Sequence, residues 1–233
     1  MTGRYAIYFA PEPGTALWQF GTSWLGRDPE TGERQVERLG LPERLHAKFI
    51  AAPARYGFHG TLKPPFWLAR QVSSEELQIA LGDFAAARHP FVTSQLRFDQ
   101  LRGFLALVPF DEGNALSELA ADCVTLFDEF RAPSTEAEIA RRNSGTLTTA
   151  QQDNLYRWGY PYVLETFRFH MTLTGKLTPE EMATVRPLLQ RATDVFLEAP
   201  LSVSSVSLYH EPAPSEPFQL IGRFRLGSPK NGV

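Results

Sequence analysis

Hydrophobic and polar positions along the chain fall into two rhythms. Segments 5–9, 57–62, 91–101, 103–110, 167–174, 196–209 and 218–226 are mostly rich in aromatic or β-branched residues and bounded by Pro, Gly or Asp, which predicts strands. Between them, apolar residues recur at helical spacing. Ser73-Ser74-Glu75-Glu76 opens a predicted helix through Ala87, with Leu77, Leu81 and Phe84 on its inner face. Thr178-Pro179-Glu180-Glu181 opens another through Thr193, with Pro in its first turn and Met182, Val185 and Leu189 inward. Segments 41–50, 115–130, 134–142 and 148–158 predict further helices, and the polar, turn-forming run 26–32 predicts a surface loop.

Two of the strand segments repeat one another. Phe58-His59-Gly60-Thr61-Leu62 and Phe169-His170-Met171-Thr172-Leu173 share the pattern Phe-His-x-Thr-Leu, and each precedes a capped helix and a two-strand segment. A duplicated strand-helix-strand-strand unit predicts an α+β fold with two antiparallel sheets, outer helices and a central cleft. The expected organisation is one bilobal domain, with lobes of roughly 1–112 and 113–233 between which strands can exchange.

Strand geometry places side chains two apart on one face. His59 therefore points with Thr61, and His170 with Thr172, while Phe58, Leu62, Phe169 and Leu173 turn the other way into a core. Phosphodiester cleavage needs a base for the attacking oxygen, an acid for the leaving oxygen, and donors for the charged oxygens between them. Two imidazoles meet the first two needs near neutral pH, and two threonine hydroxyls meet the third. By the same parity, Lys63 and Arg168 are candidate phosphate neighbours. Tyr56 and Tyr160 are candidates to stack on a base or ribose. His46, His89 and His210 are expected to be structural.

Composition narrows the choice of substrate. With 43% hydrophobic residues in 233, the chain has the material for a packed core. Its net charge of -3 and dispersed basic residues favour a small phosphorylated substrate or nucleotide over duplex DNA. The single Cys123, in an amphipathic segment, reads as a core thiol and excludes an internal disulfide. No apolar run approaches the length that spans a bilayer, so a cytoplasmic monomer is expected. The sequence contains no His-x-His or His-Glu-x-x-His pattern and no Gly-x-x-x-x-Gly-Lys-Ser/Thr loop, so neither a metal nor another cofactor is expected.

The paired motifs resemble those of the 2H phosphoesterase superfamily, which includes RNA 2',3'-cyclic phosphodiesterases and 2'-5' RNA ligase-like proteins. More narrowly, the chain is similar to a subgroup encoded in phosphonate-utilisation operons. That resemblance rests on Tyr5-Ala6-Ile7-Tyr8-Phe9-Ala10-Pro11, Arg55-Tyr56-Gly57-Phe58-His59-Gly60-Thr61-Leu62-Lys63, Arg131-Ala132-Pro133-Ser134 and Arg157-Trp158-Gly159-Tyr160-Pro161-Tyr162. It implies a metal-independent site between two pseudo-symmetric lobes, with His59 and His170 catalytic and Thr61 and Thr172 binding phosphate. The expected activity is a phosphodiesterase, cyclic by preference, in phosphonate metabolism. Two rival readings are an enzyme acting on a short RNA end, and a non-catalytic module that binds a phosphorylated ligand.

Overall fold

The computed structural model describes residues 3–111, 113–143 and 145–227. In chain order its elements are β1 (Arg4–Phe9), α1 (Ala16–Leu25), α2 (Glu43–Ala54), β2 (Gly60–Phe66), α3 (Ser74–Ala86), β3 (Phe91–Leu101) and β4 (Phe104–Pro109). There follow α4 (Asn114–Leu126), α5 (Glu136–Arg142), α6 (Thr149–Trp158), a single 3-10 turn (Leu164–Thr166), β5 (Met171–Thr172), α7 (Pro179–Asp194), β6 (Pro200–Val203), β7 (Ser205–Glu211) and β8 (Gln219–Arg225). The capping boxes expected at Ser73 and Thr178 are both present, each hydroxyl accepting the backbone N–H of the glutamate three residues on.

The α+β class holds, with antiparallel strands and helices around them, but the two expected sheets are one. All the strands join in the order β6-β3-β4-β5-β2-β1-β7-β8. The join is the pairing of Gly60 with Met171, the middle residues of the two Phe-His-x-Thr-Leu repeats. Each motif strand is then flanked by strands from elsewhere in the chain. The hairpin β3–β4 that follows the first motif lies against β5 of the second, while β7–β8, which follows the second, continues the side of the first through β1.

The expected strand over 196–209 divides at Ser204, and its pieces part company. β6 pairs with β3 at one edge of the sheet, and β7 pairs with β1 and β8 near the other. The second motif strand is also shorter than its pattern, since β5 keeps only Met171 and Thr172. β2 runs on through Pro64 and Pro65, whose missing donors are accommodated by register shifts against β1. Helix α1 had no periodic signal strong enough to announce it. Thr15 caps it, and its central Gly21 is required by packing, because a Cβ there would lie 1.9 Å from the ring of Phe58.

Phe58, Leu62, Phe169 and Leu173 are buried in the main core, as the alternation predicts. Cys123 is buried in α4, and burial pushes its thiol pKa up, consistent with a packing role. No helix among the described residues is long and apolar enough to cross a membrane.

Gly60 is where the two repeats differ for a physical reason. A Cβ at Gly60 would sit 2.5 Å from two atoms of the Phe169 ring, so only glycine lets β2 and β5 close on one another. Replacing Gly60 by Ala should destabilise the fold by about 1–3 kcal/mol through overpacking and loosen the β2–β5 junction. Urea denaturation of Gly60→Ala against the parent chain checks this; an unchanged midpoint would contradict it.

Candidate active site

Register brings the four motif side chains together. With Gly60 opposite Met171 in an antiparallel pair, His59 falls opposite Thr172 and Thr61 opposite His170. Directly opposed residues share a face, so both histidines and both threonines stand on one side of the central strand pair. The sequence called for two facing strand surfaces; the structure sets the quartet side by side on one.

Both imidazoles are oriented alike. The Nδ1–H of His59 donates to the carbonyl of Gly57 at 2.9 Å, and that of His170 donates to the carbonyl of Arg168 at 2.8 Å. A carbonyl only accepts, so Nδ1 carries the proton in each ring and Nε2 is left as the basic atom. Gly57 adopts φ +76, and a Cβ there would lie 2.9 Å from Pro29, so glycine is needed to hold that carbonyl under His59. The Thr61 hydroxyl donates to Nε2 of His59 at 3.2 Å.

The two histidines differ in their surroundings. His59 stacks on Tyr8, with ring centroids 3.7 Å apart and an interplanar angle of 21°, and Tyr56 and Tyr209 crowd its other sides. Burial lowers its pKa to about 4; the Gly57 hydrogen bond opposes the shift and the charge of His170 adds to it. That coupling places the two rings within electrostatic reach of one another. His170 packs against Phe104, and its pKa is lowered, again first by burial. The partly exposed His59 ring is therefore dry on its stacked face and open towards the cavity.

That cavity has a volume of about 570 Å³ and is lined by His59, Thr61, Thr172, Tyr8, Tyr56 and Tyr160, with Arg4, Arg55, Arg141 and Arg142 and the carboxylate of Glu138. His170 shares the sheet face with these residues but stands outside the cavity wall. Tyr56 and Tyr160 line this cavity together with His59, Thr61 and Thr172. Tyr56 also stacks on Phe218, and Arg142 lies 5.5 Å from the Tyr160 ring centre.

Two candidates have other duties. Lys63 is buried beneath α4, where its ammonium donates to the Val124 carbonyl at 2.9 Å and lies 3.8 Å from Asp128; it lines a smaller neighbouring cavity, not that of His59 and the two threonines. The bulges in β2 carry it out of the simple parity on which its candidacy rested. Arg168 serves through its carbonyl, while its side chain is exposed and absent from the cavity wall. His46 is structural, sharing a hydrogen bond of 2.9 Å with the Trp24 carbonyl. His210 stacks on Tyr5, which faces the core, and His89 is exposed.

Tyr8, Arg4, Arg55, Arg141 and Arg142 were assigned no part from sequence. Arg4 and Tyr8 share a parity in β1, a signal that becomes useful only once β1 is known to lie beside β2. Among the described residues, no group of three or more His, Cys, Asp or Glu side chains is placed to hold a metal ion.

Comparison with known proteins adds a family and several likenesses. The family described as Protein of unknown function (DUF1045) matches residues 61–219. A protein of Janthinobacterium sp. (strain Marseille) named ribose 1,5-bisphosphate phosphokinase PhnN is 40% identical over 224 residues, covering 92% of this chain and 49% of that protein. One of the same name from Laribacter hongkongensis (strain HLHK9) is 34% identical over 217 residues, covering 93% and 50%. The chain therefore spans about half the length of the curated relatives it matches. A crystal structure of E. coli LigT complexed with 3'-AMP aligns over 98% of this chain and 100% of its own, at 14% identity and a TM-score of 0.45. A crystal structure of a phosphoesterase aligns over the same shares at 15% identity and a TM-score of 0.43.

The depressed pKa of His59 has a consequence for stability. The unfolded chain takes up a proton at this ring near pH 6.5, whereas the folded chain does so only near pH 4, so the folded state binds fewer protons between them. Stability contributed by the neutral ring is present above pH 6.5 and is lost as pH falls towards 4. Thermal melts from pH 7.5 to 4 should show a steeper decline for the parent chain than for His59→Gln, and parallel curves would refute the dry environment described for this ring.

Proposed function

The chain belongs to the DUF1045 family, and we propose that it is a metal-independent phosphodiesterase of the two-histidine type that opens a cyclic phosphodiester on a small phosphorylated sugar or nucleotide. The observation that carries this reading is the quartet on one sheet face, with both Nδ1 atoms committed to backbone carbonyls and both Nε2 atoms left as proton carriers.

In this reading the phosphorus lies between the two rings. His59, the ring held more strongly neutral by burial and by its stack on Tyr8, takes a proton from water at Nε2 as the water oxygen bonds to phosphorus. The bond from phosphorus to the leaving oxygen breaks as protonated His170 gives that oxygen a proton from its own Nε2. The anionic substrate favours the charged form of His170 when bound. Thr61 turns its hydroxyl from Nε2 to one non-bridging oxygen, and Thr172 donates to the other, stabilising the charge that gathers there. Protons exchanged with solvent then restore both rings.

The relatives' name narrows the substrate. A protein that phosphorylates ribose 1,5-bisphosphate needs a source of that compound, and hydrolysis of a 1,2-cyclic phosphodiester on ribose 5-phosphate yields it directly. This chain contains no glycine-rich phosphate loop of the Gly-x-x-x-x-Gly-Lys-Ser/Thr kind. In the half of those relatives that it matches, a step supplying the kinase fits its residues better than the kinase step itself, and such a step belongs to phosphonate breakdown by the operon resemblance.

Chelator-treated protein should hydrolyse 2',3'-cyclic nucleotides or ribose 5-phosphate 1,2-cyclic phosphate, followed by phosphorus NMR. His59→Ala and His170→Ala should each lower kcat/KM by about 10²–10⁴-fold, and Thr61→Val or Thr172→Val by about 10²-fold. Absence of turnover with retained binding would leave a phospholigand-binding module instead.

The pH profile of kcat/KM should be a bell displaced to the acid side. Its rising limb reports loss of the His59 proton near pH 4, and its falling limb reports His170 below the usual imidazole value of about 6.5. A bell centred above pH 7 would count against two buried imidazoles as the working pair.

A further inference from the structure

We propose that the cavity holds a second anion subsite, formed by Arg4 and Arg55 on one wall and Arg142 on the other, which takes the terminal phosphomonoester of a substrate whose diester lies at the histidines. This rests on the reading of the quartet as a phosphodiester site, and it makes the preferred substrate class a phosphorylated sugar cyclic phosphodiester and not a bare cyclic ester.

The first wall is built by pairing in the sheet. Arg4 stands opposite Glu211 across β1 and β7 and shares a strand face with Tyr8, the residue stacked on His59. Glu211 is fully buried and accepts from both Arg4 and Arg55, which holds the two guanidiniums in the cavity wall. One carboxylate against two guanidiniums leaves a positive charge over. Arg55 also lies 5.7 Å from the ring centre of Tyr56, which connects this corner to the quartet.

The second wall brings another cation. Arg142 donates to the Gly159 carbonyl, which fixes its reach beside Tyr160. Glu138 lines the same wall, but its carboxylate already accepts from the Thr135 backbone at 2.9 Å and from the Trp67 indole at 3.0 Å. The charge of Arg4 adds to the burial that lowers the pKa of Arg142, so the two walls feel one another across the space. Like charges facing across a partly buried cavity are a cost that a bound dianion relieves.

Charge and placement agree on the occupant. Arg4, Arg55, Arg141 and Arg142 line the cavity, and the carboxylates beside them are those of Glu138 and Glu211, in a chain whose net charge is -3. A diester carries a single negative charge, which the quartet itself can meet; the surplus of cations suits a second phosphate. Along β1, the Cα of Arg4 lies about 13 Å from that of Tyr8 at a strand rise of ~3.3 Å per residue. The Arg4 guanidinium lies 5.7 Å from the ring centre of Phe218, which stacks on Tyr56, and Tyr56 packs in turn against His59.

Titration calorimetry with ribose 1,5-bisphosphate and ribose 1-phosphate tests the subsite without requiring turnover. The parent chain should bind the bisphosphate about 10- to 100-fold more tightly, the gain expected of charge-assisted hydrogen bonds, and added salt should narrow the gap. Arg142→Met and Arg4→Met should each drive the ratio of the two Kd values towards one. Because Arg4→Met leaves part of a buried carboxylate unpaired, the double variant Arg4→Met/Glu211→Gln, checked by its melting temperature, is measured beside it. Equal affinities in the parent chain, or an undiminished ratio in folded variants, overturn the subsite. A selective parent chain that turns over no cyclic phosphodiester keeps the subsite and sinks the hydrolase reading instead.

Discussion

The antiparallel contact between Gly60 and Met171 governs the architecture of this protein. It turns strands from two halves of the chain into neighbours in one sheet, and by the alternation of side chains it decides that His59, Thr61, His170 and Thr172 share a face. The contact is narrow. It depends on the ring of Phe169 filling the place where any side chain at Gly60 would stand, so a requirement of the core on one face sets the spacing of the chemistry on the other.

From that junction the site is assembled by short-range constraints. Each histidine is fastened by a carbonyl two residues before it, an arrangement available because both rings stand one residue ahead of a strand, where the backbone is free to turn. The fastening is symmetric while the surroundings are not. Tyr8 and Tyr56 press on His59, whereas His170 has Phe104 beside it, and this difference separates two chemically identical groups into a drier and a wetter one. The proposed division of labour between a base and an acid would draw on such asymmetry.

The cavity carries the asymmetry further. Its aromatic walls limit hydration of His59, and its arginines gather from β1, from the loop before β2 and from α5. A buried carboxylate, Glu211, holds two of them, so the positive potential beside the quartet is a fixed feature of the fold and not a property of mobile surface chains.

The sequence by itself determined which motif residues turn to the core, and much of the local structure. Alternation about His59 and His170 separated polar from core-facing residues, and the caps at Ser73 and Thr178 marked where helices begin, because both signals depend only on near neighbours in the chain. Tertiary structure alone decided that the two motif strands pair with each other, that segment 196–209 divides between distant strands, and that Lys63 is drawn under α4. It also decided the meeting of Arg4, Arg55 and Arg142, residues with no common period in the sequence. These outcomes turn on contacts between segments far apart in the chain, and on the loss of water that shifts the imidazoles; neither quantity exists until the chain has folded.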